Sequence, residues 1–92
     1  MSQRAQRIHD VLQQSFLPIA LHVEDESWKH AGHAGVREHG GGHFVVHITA
    51  EAFRNQSKLA CHRMIYQALG DAFRQDIHAL SIHAQAPKSE PL

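Results

Sequence analysis

The stretch HAGHAGVREHGGGHF, residues 30–44, sets His30, His33, His39 and His43 among five glycines. Imidazole binds transition metals and changes charge near neutral pH. Such a segment can therefore hold a metal, or it can be a solvated connection. It is not an expression tag, because it is interrupted and lies mid-chain between two apolar runs. The chain has ten histidines in 92 residues but a single cysteine, Cys61. An internal disulfide is excluded, and any ligand set built on this chain leans on imidazole.

Several chemistries fail on spacing. His30 and His33 look like half a zinc site, but no CxxC and no second pair at zinc-finger spacing completes it. His39 and His43 would share a face only on a helix, and Gly40, Gly41 and Gly42 oppose one. No GxSxG elbow, P-loop or HExxH is present, and no catalytic site is expected. Cys61 and His62 are adjacent, so on a helix they point about 100° apart and make no dyad. GHAG, residues 32–35, matches the GxxG string that clamps nucleic-acid backbone in KH domains, but it lies inside a strand–strand connection, the wrong context.

Cations are the other chemistry-bearing group. Arg54, Lys58 and Arg63 gather around the turn before a long helix, as a phosphate-contacting surface would; Arg74 lies further on. Glu51, Asp71 and Asp76 are near them. Nine basic and nine acidic residues cancel over the whole chain. A dedicated nucleic-acid binder shows a clear basic excess. A solvated helix face explains these residues equally well.

The positioning elements follow from periodicity. Ala5, Ile8, Val11, Leu12 and Phe16 recur at helical spacing over residues 2–16, and Pro18 stops that helix. IALHV alternates, with Ile19, Leu21 and Val23 on one face and His22 on the other. HFVVHIT is a second strand with Phe44, Val46 and Ile48 on its core face. The pair predicts an antiparallel hairpin whose connection, residues 26–42, exceeds the usual 12–15 residue ceiling; such loops are functional or disordered. AEAF allows one helical turn. Ser57 is an N-cap candidate for a helix striped by Leu59, His62, Ile65, Tyr66, Leu69 and Phe73. IHALSIHA is a third strand with Leu80 and Ile82 on one face, and QAPKSEPL a polar tail. A helical crossover between the last two strands permits them to run parallel. The expected fold is α+β: a two-layer αββααβ domain over residues 1–86, with a three-stranded mixed sheet, helices on one face, and a flexible tail at 87–92. No apolar run approaches the ~20 residues of a membrane span. The opening residues lack a secretory apolar region, so the cytoplasm is the expected location.

Four segments in this order resemble the BolA family: VEDES (23–27), HFVVHITAEAF (43–53), CHRMIYQALGDAF (61–73) and IHALSIHA (77–84). The family's fold is class II KH-like, in agreement with the order above. Two departures stand out. Cys61-His62-Arg63 replaces the usual Arg-His-Arg, and Asn55 stands where a glycine is common. The resemblance implies a non-enzymatic partner of a monothiol glutaredoxin that shares a [2Fe–2S] cluster in iron–sulfur trafficking or iron regulation. Glutathione would sit on the partner side, and no cofactor is expected to stay tightly on the isolated chain, a monomer or weak dimer. The family pattern places one histidine ligand at the start of the third strand, at His78. The other falls in the hairpin connection, where His30 is the best match and His33 the second. The alternative implied by the family is a DNA-binding transcriptional regulator of stress response and cell shape, with Arg54, Lys58 and Arg63 as contacts. The composition suits the first role: two imidazoles can replace two thiolates on one iron of such a cluster, and one cysteine cannot supply an all-thiolate site.

Overall fold

Ser2 opens the first helix. Its Oγ accepts from the Ala5 N–H at 3.1 Å, so α1 runs over Gln3–Phe16 and begins one residue later than periodicity suggested. The computed structural model describes residues 2–26, 42–70 and 77–88, with the backbone alone for 77–79. Ala5, Ile8 and Leu12 form the buried stripe of α1. The helix ends at Leu17, which takes the left-handed conformation (φ 46°) and donates its N–H to the Gln13 carbonyl; Pro18 prevents continuation.

Strand β1 covers Ala20–Asp25 and β2 covers Gly42–Thr49, paired antiparallel. Ile19 therefore falls outside the strand and is 73% exposed, against the expectation that it shares the core face with Val23. The left-handed turn at Leu17 and the rigid Pro18 consume the residues that would have extended β1 backwards. Phe44, Val46 and Ile48 are all buried, as the alternation of β2 requires.

After β2, Glu51–Phe53 makes one 3₁₀ turn, and the Phe53 ring packs on Phe16 at 5.0 Å between centroids. Asn55 has φ 64°. The chain turns here through the left-handed region, which asparagine tolerates better than most side chains. The second helix, α2, spans Lys58–Leu69 and is capped by Ser57. Its buried residues are Cys61, Ile65 and Leu69. The expected stripe is thus corrected in phase: Leu59, two residues before Cys61 and about 200° round the helix, faces out, as does Tyr66. Gly70, at φ 74° and ψ 178°, ends the helix. Phe73 and Arg74 lie outside the described residues.

Strand β3, Ile77–Gln85, pairs parallel to β2, giving sheet order β1-β2-β3 with β2 in the centre. Both helices pack on one face, and the core joins α1, all three strands and α2. The fold is the mixed α+β arrangement that the strand order predicted. Among the described residues, no helix is long and apolar enough to cross a membrane.

Candidate functional site

The end of β1 and the beginnings of β2 and β3 come together at one end of the sheet. This follows from topology: β1 is antiparallel to β2, and β3 is parallel to it. The Glu26 N–H donates to the His43 carbonyl at 2.7 Å, closing the β1–β2 ladder where the connection leaves the sheet. Gly42, where the chain re-enters, pairs with Ile77, and His43 pairs with Ala79. The register slips between Gly42 and His43, so the β3 backbone at His78 has no one-to-one partner there. An irregularity of this kind interrupts the backbone ladder, and it occurs often beside functional sites. His78 therefore sits at the root of the connection that carries His30 and His33. Those two residues lie outside the described residues, as does His39.

Cys61 is not a second donor in waiting. It is 4% exposed, on the inner face of α2, and burial pushes its thiol up from the ordinary value. A largely buried thiol whose ionisation burial disfavours is a poor ligand and a poor nucleophile. Among the described residues, no three histidine, cysteine or carboxylate side chains are gathered for a metal.

The three cations proposed from sequence differ in their surroundings. Arg54 is bound to Glu51 by two hydrogen bonds and donates a third to the Pro87 carbonyl. Lys58 and Arg63 are both exposed, but five helical residues separate them by about 140°. Lys58 turns toward a cleft of about 490 Å³ between α2 and the far ends of β2 and β3, lined also by Thr49, Cys61, His62 and Gln85.

One arrangement went unpredicted. On the sheet face away from the helices, His22, His47 and His83 fall opposite one another across all three strands. Alternation alone placed each on that face; what was missing was the register that aligns them.

With this geometry in hand, comparison with known proteins is informative. The sequence profile described as "BolA-like protein" matches residues 12–89. The chain is 41% identical over 91 residues to SufE-like protein 1, chloroplastic/mitochondrial, of Arabidopsis thaliana, covering 95% of this chain and 24% of that protein. It is 37% identical over 90 residues to Protein BOLA1, chloroplastic, of the same plant, covering 96% of this chain and 56% of that one. It is 35% identical over 83 residues to the DNA-binding transcriptional regulator BolA of Escherichia coli, covering 90% and 75%. The chain thus spans about a quarter and about half of the two plant relatives. The solved BolA domain of SufE1 from Arabidopsis thaliana superposes with a TM-score of 0.80 at 39% identity, covering 95% of each chain.

Proposed function

We propose that this chain, which belongs to the family of BolA-like proteins, is the partner of a monothiol glutaredoxin and shares a [2Fe–2S] cluster with it through histidine. The observation that carries this reading is the register at the head of β3. His78 stands on a strand, between the two residues that pair with the re-entry point of the histidine- and glycine-rich connection. In this role His78 is the fixed ligand, and His30, with His33 second, reaches in from residues 27–41. Two imidazoles complete one iron, and the thiolates come from glutaredoxin and its glutathione. The buried Cys61 takes no part. The cluster supplies the redox and exchange chemistry; the chain supplies two neutral nitrogens.

This reading makes the chain a carrier or sensor in iron–sulfur trafficking and iron regulation, not an enzyme, acting in the cytoplasm as a monomer or weak dimer that holds no cofactor alone. Its test is spectroscopic. A monothiol glutaredoxin carrying its cluster is mixed with this chain, and visible absorption and circular dichroism are recorded. A new spectrum at equimolar chain is expected. An unchanged spectrum rejects the reading.

A second reading is DNA binding. Its support is the name of the Escherichia coli relative, a DNA-binding transcriptional regulator. Lys58 and Arg63 are the exposed cations for it. The neutral balance of the chain and the engagement of Arg54 count against it.

A further inference from the structure

The open face of the sheet carries one row that the glutaredoxin reading does not use. His22 pairs with His47, and His47 pairs with His83, so one imidazole from each strand lines up across the sheet. The ring centroids are 6.1 Å apart for His22 and His47, and 4.8 Å for His47 and His83, whose planes lie within 10°. The shorter spacing equals the distance between neighbouring strands, because in-register side chains stand upright from the sheet. Two imidazoles on one tetrahedral ion, with metal–nitrogen bonds near 2.0–2.1 Å, have ring centres about 5 Å apart. The two spacings bracket that value, and the stacked His47 and His83 rings must turn out of their parallel planes to aim their in-plane lone pairs at one ion.

We propose that His22, His47 and His83 form a metal site on the open sheet face, which takes a borderline divalent transition-metal ion of the Zn²⁺ class. Imidazole nitrogen suits such ions and discriminates against Mg²⁺ and Ca²⁺. The ion sits between adjacent rings, with His47 the ligand common to either pair and water or the third ring completing the shell. The rings are a row, not yet a cage, in keeping with the absence of a gathered three-donor set among the described residues. His22, His47 and His83 are all exposed, so the open face leaves room for the rings to turn out of their stack toward one ion. Glu24 adds a second feature. Its Oε1 lies 3.2 Å from His22 Nε2. A proton held there on Nε2 leaves Nδ1 as the lone-pair nitrogen, the carboxylate–histidine arrangement found behind metal ligands. The neighbouring rungs on this face are Glu24, Val45 and Ser81 on one side and Ala20, Thr49 and Gln85 on the other. Among them the one formal charge is negative, which favours a cation. The site is separate from His78, which lies five residues back along β3, about 16 Å at strand rise.

The test removes the other site first. In a full chain with His30, His33, His39 and His78 each changed to Gln, Zn²⁺ is titrated by calorimetry at about pH 7.5, where imidazole is neutral. Binding at one site per chain is expected, with NMR shifts centred on His22, His47 and His83. Adding His47→Gln abolishes it, and adding Glu24→Gln weakens it about tenfold. Unchanged affinity on adding His47→Gln, or no binding by the folded starting variant, overturns the proposal. If the fourfold variant does not fold, His47→Gln alone in the otherwise unchanged chain must lower the number of bound Zn²⁺ by one; an unchanged number overturns it too. Because the first variant lacks every residue assigned to the cluster, either outcome leaves the glutaredoxin reading to its own test.

Discussion

Arg54 closes on Glu51 with Nε to Oε1 at 2.6 Å and Nη2 to Oε2 at 2.9 Å, while Nη2 also reaches the Pro87 carbonyl at 2.8 Å. A bidentate guanidinium held on both sides is a bracket between the 3₁₀ turn and the segment after β3. Any contact with a phosphate must compete with both bonds. Binding of DNA is therefore expected to be weak and to fall steeply with salt. It drops with Lys58→Ala or Arg63→Ala and less with Arg54→Ala, as read by fluorescence anisotropy of a labelled duplex. Tight sequence-specific binding that ignores the Lys58 and Arg63 changes would put the regulator reading ahead of the glutaredoxin one.

The same pair sets a pH dependence. The hydrogen bond from Arg54 holds the Glu51 carboxyl below its usual range. A value lowered by folding contributes stability above the unfolded carboxylate value and loses it as pH falls through the folded one. The pair is exposed, so the effect is small. Glu51→Gln is expected to lower the melting temperature slightly at neutral pH and to leave it unchanged in strong acid. A deficit that persists in acid would assign the loss to packing instead of charge.

Cys61 shows the opposite sign. Burial raises its thiol, so its contribution is complete below the unfolded thiol value of about 8.5 and is lost as pH rises through the folded one. The wild-type chain should lose stability in alkali relative to Cys61→Ala. Iodoacetamide should react far more slowly with the native chain than with the unfolded chain. Cys61→Ser buries a hydroxyl at a cost of about 1–3 kcal/mol and leaves the glutaredoxin mixed spectrum intact. Loss of that spectrum in a folded Cys61→Ser protein shows that the ligand set is wrong.

The fold was legible in the chain because its strands alternate strictly. Phe44, Val46 and Ile48 could face nowhere but the core, and the crossover after Thr49 permitted the parallel pairing that β3 makes. Helical phase was less legible. Leu59 and Tyr66 read as core by hydrophobicity, yet α2 turns Cys61 and Ile65 inward, and those choices depend on how the helix lies on the sheet. Of the site, composition indicated imidazole chemistry. It could not indicate that the neighbours of His78 pair with Gly42 and His43, nor that His22, His47 and His83 align, since register is a property of pairing and not of any one strand.

Backbone conformation supports a further test at two turns. Gly70 has φ 74° and ψ 178°, and a Cβ placed there meets no heavy atom within 4 Å. The cost of Gly70→Ala is therefore conformational alone, about 1–3 kcal/mol in a region that is essentially glycine's. Asn55, at φ 64°, should gain a few tenths of a kcal/mol from Asn55→Gly, as the left-handed preference of glycine outweighs its extra unfolded-state freedom. Urea denaturation measures both. A neutral Gly70→Ala would mean that α2 ends differently in solution.

The last prediction separates a fixed ligand from a replaceable one. His78 is held in β3 between Ile77 and Ala79, which pair with Gly42 and His43 of β2. No other histidine lies within four residues of it along that strand. His78→Ala is therefore expected to abolish the mixed cluster spectrum with a glutaredoxin. His30→Ala should weaken it only, because His33 follows three residues later on the same glycine-rich connection and can serve in its place; the double change should abolish it. Iron is bound by neutral imidazole, so the mixed species should also fade as pH falls below about 6.5, the ordinary histidine value. Visible circular dichroism of each complex reads all of this, with far-ultraviolet spectra checking the fold. A wild-type spectrum from folded His78→Ala would remove histidine ligation at β3 and leave the connection as a solvated link between two strands.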